Sequence, residues 1–265
     1  MGIFDNLEGF ENVSLWVQIA LVVVGALIII VGVASCAVSI VLAVKYVKYN
    51  RTKNSCGLSG EEAARKILDD NGLNHIKVSK NGSLLFGNSY SHYFKKVRLR
   101  RRTYKKDSIS SLAMAAQKSS LAILDKENDP DMKHRIVLTP IITFGPYAFI
   151  PLIIIGVLID ILVFGMNGVM TIIFACLGLA FYIFAFILSL KTLKTEVKAQ
   201  NRAYEVLKEK NMANDEELEM MKSLFKLYNI EYVNNMILAF LEVLYRVLMI
   251  IAKVQSVSSS SSNNN

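Results

Sequence analysis

The chain has 265 residues and a net charge of +8; 53% of its residues are hydrophobic and only 20% are charged. The apolar residues are blocked together: Val13 to Val44 contains no Asp, Glu, Lys or Arg, and Ile136 to Leu190 contains one charge, Asp160. A bilayer crossing takes roughly 20 helical residues, so these runs exclude a cytosolic enzyme, a secreted disulfide scaffold and a free nucleic-acid-binding domain.

Residues 1–12 are acidic, with Asp5, Glu8 and Glu11 and no base. They read as an extracytoplasmic N-terminus. Residues 13–44 follow as a first span. An acidic start and so long an apolar run differ from a cleaved signal peptide, which has a basic start and a short apolar core, so the span is expected to be retained. Residues 45–135 carry 20 Lys/Arg against 9 Asp/Glu, a net of +11, and by the positive-inside rule they belong in the cytoplasm.

Within that loop Ser59-Gly60-Glu61-Glu62 reads as a capping box opening a helix Gly60–Asn71, with Gly72 as its stop. His75 to Val78 alternates as a strand, Asn81-Gly82 is a hairpin signal, and Leu84–Phe86 and Val97–Leu99 read as further strands. Asp107 or Ser108 opens a small-residue helix from Ile109 to Leu124. The second apolar block gives spans near 138–163 and 169–190, divided at Phe164-Gly165-Met166-Asn167-Gly168. Asp160, within a turn of the outer end, is expected to reach headgroup water. Residues 191–231, with eight charges of each sign, return to the cytoplasm as helices Lys191–Lys210 and Asp215–Leu227. Residues 232–254 read as a fourth span, the alternative being a helix on the surface. Glu242 and Arg246, four apart, share a face there and can pair. Residues 256–265 are Ser, Val and Asn and read as a disordered tail. Cys36, Cys56 and Cys176 have no C-x-x-C spacing and suggest neither a disulfide nor a thiolate site. The fold class is an α-helical multi-pass protein of the plasma membrane with a small cytoplasmic α+β insertion.

The ordered parts resemble the YugP-like family of membrane-embedded neutral zinc metallopeptidases, over roughly residues 40–252. The likeness rests on Cys56-Gly57-Leu58-Ser59-Gly60-Glu61-Glu62-Ala63, on Asn71-Gly72-Leu73, on Val97-Arg98-Leu99 and on Glu196-Val197-Lys198-Ala199-Gln200-Asn201-Arg202-Ala203. The resemblance implies a zincin-like metal motif, H-E-x-x-H, on the small-residue helix, in which two His hold zinc and the Glu activates its water. Leu112–Ala116 before it and Ala122-Ile123 after it place the motif at 117–121. Here Gln117, Lys118 and Leu121 stand where the first ligand, the base and the second ligand are implied, and Glu196 matches the third ligand. Catalytic zinc takes three protein ligands and a water, so zinc is expected to be absent and the fold to be a zincin-like remnant. Lys198 stands where the family suggests an acid and is expected to add positive charge to the vestigial site.

His75, His92 and His134 form no i,i+4 pair, and Ser119 and Ser120 point to different faces from Lys118, against a Ser–Lys dyad. Arg98, Arg100, Arg101, Arg102, Lys105 and Lys106 form a basic run, read as contact with anionic lipid or as topology enforcement rather than as a nucleic-acid site. The expected function is a non-catalytic homologue that binds or assembles with a protein partner or an active paralogue. The alternatives are an active peptidase with unrecognised ligands and a small-solute transport subunit.

Overall fold

The computed structural model describes residues 13–81, 87–144, 149–163 and 168–262. Among them the chain forms α1 (Leu15–Arg51), α2 (Gly60–Asp70), β1 (Lys77–Asn81), β2 (Ser89–Ser91), β3 (Lys96–Arg100), α3 (Arg101–Lys105), α4 (Ile109–Lys126), α5 (Pro130–Phe144), α6 (Phe149–Leu162), α7 (Val169–Glu209) and α8 (Asp215–Ser262). The chain divides into two compact units: Met1–Cys36, Pro140–Ser189 and Val233–Asn265 form one, and Ala37–Thr139 with Leu190–Tyr232 form the other.

The first unit is built from apolar helices. Val13, Val17, Leu21 and Val24 pack with Leu241, Leu248 and Ala252. Ala175 packs with Val243 and Val247. The other faces stay apolar and open, with Val22, Ile29, Ile30 and Val33 each more than 60% exposed. α1 and α7 are long and apolar enough to cross a membrane. An exposed apolar surface of this extent is not that of a helix in a water-soluble core.

Across the expected span 138–163, α5 is described to Phe144 and α6 from Phe149 to Leu162; residues 145–148 lie outside the described residues. The expected place of Asp160 is corrected. It is buried and accepts from the backbone N–H groups of Met170 and Thr171 and from Thr171 Oγ1, at 3.0, 2.7 and 2.6 Å. It therefore supplies acceptors to the open first turn of α7. The division at 164–168 and the N-terminus at 1–12 lie largely outside the described residues; Gly168 has φ +76°, a left-handed conformation natural to glycine. The tail differs too, because α8 continues to Ser262. Extending an existing helix avoids the nucleation step.

The second unit has α4 at its centre. Fifteen of its eighteen residues are buried, which the small side chains between Leu112 and Ala122 permit. The sheet has the order β1-β3-β2. β1 runs parallel to β3, pairing Val78 with Val97, and β2 runs antiparallel to it, pairing Tyr90 with Val97. The first strand begins at Lys77 rather than His75. The described hairpin is β2–β3, and the strand expected at Leu84–Phe86 lies outside the described residues.

The cap expected at Ser59 forms: Ser59 Oγ accepts from the Glu62 N–H, and Glu62 accepts from the Ser59 N–H at 2.8 Å. α8 opens in the same way, with Asn214 and Glu217 in reciprocal bonds of 2.9 and 3.0 Å. Glu217 also accepts from the N–H and Oγ of Ser55, both at 2.6 Å, tying the loop before α2 to α8. α2 ends at Gly72, φ +67°, with Leu73 N bonded to Leu68 O and Gly72 N to Asp69 O. This double bond closes the last turn.

Gly60 is dictated by space. A Cβ there would lie 2.1 Å from the Thr103 carbonyl oxygen. Gly60→Ala must move backbone and is expected to destabilise the unit by about 2 kcal/mol or more. Thermal unfolding in detergent, followed by circular dichroism, checks this; an unchanged midpoint would contradict the packing of α2 on Thr103.

Candidate functional site

α4, α5 and α7 converge on one carboxylate. Gln117 and Lys118 lie on α4, Arg135 on α5 and Glu196 on α7. Lys118 Nζ and Gln117 Nε2 both donate to Glu196 Oε2 at 2.9 Å. Arg135 Nη2 donates to Glu196 Oε1 at 2.7 Å. The three charged side chains are only 12–20% exposed. Leu121, one turn after Gln117 on the same helix, is fully buried in the core.

Two cations on one carboxylate decide its titration. Burial pushes the Glu196 carboxyl up, but the charges of Lys118 and Arg135 and their hydrogen bonds outweigh it and hold it at about 2. Such a group is a poor proton acceptor near neutral pH, since an efficient base has a pKa close to the working pH.

The set does not fit a zinc ion. Zinc takes lone pairs from imidazole, thiolate or carboxylate. Here an amide, an ammonium, a guanidinium and an aliphatic surround a single carboxylate, and both its oxygens are already bonded to cations. Among the described residues no group of three or more His, Cys, Asp and Glu comes together. His75 and His134 are exposed.

Lys198 does not join this site, which corrects its expected role. It pairs with Asp129 and Asp131, and Lys194 pairs with Asp131 at 3.0 Å. Residues 196 and 198 point to different sides of a helix, so these bonds bind α7 to the start of α5 along another face.

Arg135 is the site residue that the sequence does not announce. It sits 61 positions from Glu196, at the edge of an apolar block, where a basic residue reads as topology enforcement. A second cluster was also hidden. On α4, Asp125 accepts from Tyr90 OH at 2.5 Å and bonds His92 Nδ1 at 2.7 Å, with Lys95 at 3.6 Å. Burial opposes ionisation of Asp125, but the bonds from Tyr90 and His92 prevail and keep it below its usual range. The only hint is that Asp125 continues the 117, 121 spacing by one more turn.

The remaining candidates fall elsewhere. Ser119 and Ser120 are fully buried without a hydrogen-bond partner, and Lys118 is bonded to Glu196 rather than to either. Glu242 and Arg246 are both exposed on α8, and no ion pair joins them among the described residues, in contrast to the pair expected to face other helices. Arg100, Arg101, Arg102, Lys105 and Lys106 are exposed and Arg98 is half-buried. The three cysteines are free.

The chain is similar to a Bacillus subtilis protein described as "Putative membrane protease YugP", with 26% identity over 203 residues that span 76% of this chain and 85% of that protein. No solved structure matches the chain. A family described as "Putative neutral zinc metallopeptidase" matches residues 23–251. With most of its length matched, the chain belongs to that neutral zinc metallopeptidase family.

Proposed function

We propose that this chain is a non-catalytic member of its family, a multi-pass membrane protein that binds or assembles with a protein partner or an active relative. The observation that carries the reading is the state of Glu196: its two oxygens are held by Lys118, Gln117 and Arg135. A cation stands where a general base is needed, and an amide and an aliphatic stand where metal ligands are needed. The same bonds supply a structural role, since one carboxylate cross-links α4, α5 and α7. A structural metal would contribute folding energy in such a place; the ion pairs take over that cross-link.

The charge asymmetry supports the placement. The +11 stretch 45–135 lies on the cytoplasmic side and the acidic N-terminus outside, in the plasma membrane. α1 and α7 supply crossings, residues 138–163 supply the return crossing that keeps 45–135 and 191–231 on one side, and α8 adds a further one through its apolar half.

The test is zinc per chain, by elemental analysis of the purified full chain in detergent with no metal added, together with a peptidase assay with and without chelator. Zinc near zero and no chelator-sensitive cleavage are expected. Zinc near one per chain, or cleavage abolished by chelator, would overturn the reading.

A further inference from the structure

We infer that the β2–β3 hairpin is an interfacial anchor that inserts Tyr93 and Phe94 into the anionic leaflet of a bilayer. This goes beyond the reading of the Glu196 site and does not depend on it.

The first observation is exposure. Tyr93 and Phe94, in the turn between β2 and β3, are 71% and 70% exposed. Tyr93 meets the His92 ring edge-on at 5.5 Å, but most of both aromatic surfaces is left in water, whereas the headgroup boundary accepts such rings.

The second is the rigidity of the hairpin base. Tyr90 and His92 are bonded to Asp125 of α4, Val97 and Leu99 are buried, and the turn closes through Lys95 at φ 45°. The tip is therefore presented by a fixed frame. Arg98 lies over the Phe94 ring, 5.5 Å from its centre, so a charge that can meet a phosphate sits directly behind the ring.

The third is charge. Residues 71–106 contain ten Lys/Arg and no Asp or Glu. Among the described residues Lys96, Arg98, Arg100, Arg101, Arg102 and Lys105 form no ion pair. Unpaired bases around two exposed aromatics complement a surface that is negative outside and apolar beneath. Each such base near anionic lipid strengthens attachment by about fivefold. A polynucleotide would meet the bases but gives no reason for a phenyl ring at the tip of a short turn.

The full chain contains one Trp, Trp16, so Trp16→Phe with Phe94→Trp gives a single reporter, and Trp16→Phe with Tyr93→Trp gives a second should the first fail to fold. Each is reconstituted into nanodiscs of phosphatidylcholine alone or with phosphatidylglycerol. With phosphatidylglycerol, emission is expected to move to shorter wavelength and to be quenched by acyl-brominated lipid. High salt or the Arg100→Gln, Arg101→Gln, Arg102→Gln triple variant should reverse both changes. Emission that stays red and open to aqueous iodide in both lipids, for both reporters, overturns the proposal. So does a larger response to added RNA or DNA than to phosphatidylglycerol.

Discussion

Glu196→Gln is expected to destabilise the α4–α5–α7 unit by about 3 kcal/mol, the lower end for breaking a buried pair because the side chains retain some solvent. The substitution keeps volume but leaves Lys118 and Arg135 facing each other around a neutral amide, so the cost comes from two poorly solvated cations rather than from one lost bond. Lys118→Met, Arg135→Met and Glu196→Met together remove the charges as a set, and should recover most of the loss because apolar replacement of a whole buried ion cluster is often neutral or better. The pH dependence has a defined sign. The Glu196 carboxyl lies at about 2 in the folded chain, below its ordinary value of 4.5. Its contribution is complete above that ordinary value and is lost as pH falls from it toward 2. Thermal unfolding across this window should show a loss in the parent protein that Glu196→Gln removes. A variant as stable as the parent, with the same acid sensitivity, would mean that the ion cluster does not hold the unit together.

Rebuilding the metal site is the second large effect. Gln117→His, Lys118→Glu and Leu121→His place two imidazoles at i and i+4 on α4. With Glu196 they make the three-ligand set of a catalytic zinc. The structure adds a condition: Arg135 would still bond Glu196 Oε1 and repel a dication. The triple variant is therefore expected to bind zinc weakly, and adding Arg135→Gln should raise the affinity by tenfold or more. Elemental analysis and a competing chelator measure both. No zinc in the four-residue variant would show that residues 117–121 do not occupy the metal-motif position.

Several parts were legible from residues alone. Apolar runs without charge mark α1 and α7, because burying a charge in lipid is costly. The Ser59–Glu62 cap and the Gly72 stop are local hydrogen-bond problems solved within a few residues, so spacing reveals them. Other parts were not legible. The cap that Asp160 gives α7 depends on what lies beside the segment, and the helical continuation past Ser256 on the helix already formed before it. The parallel partner of β1 is a strand that begins 15 residues after β1 ends, and alternation cannot name a partner.

The candidate site divides in the same way. The residue types at 117, 118, 121 and 196 already determined that a three-ligand zinc set could not form there, since donor chemistry belongs to the side chain. Only the tertiary structure decided what replaced it. Arg135 reaches Glu196 because α5 and α7 pack on α4, and Lys198 turns away to Asp129 and Asp131 because two residues along a helix is the wrong side. Sequence spacing controls geometry within one element. Contacts between elements far apart in the chain are settled by packing, and there one carboxylate with two cations became a cross-link.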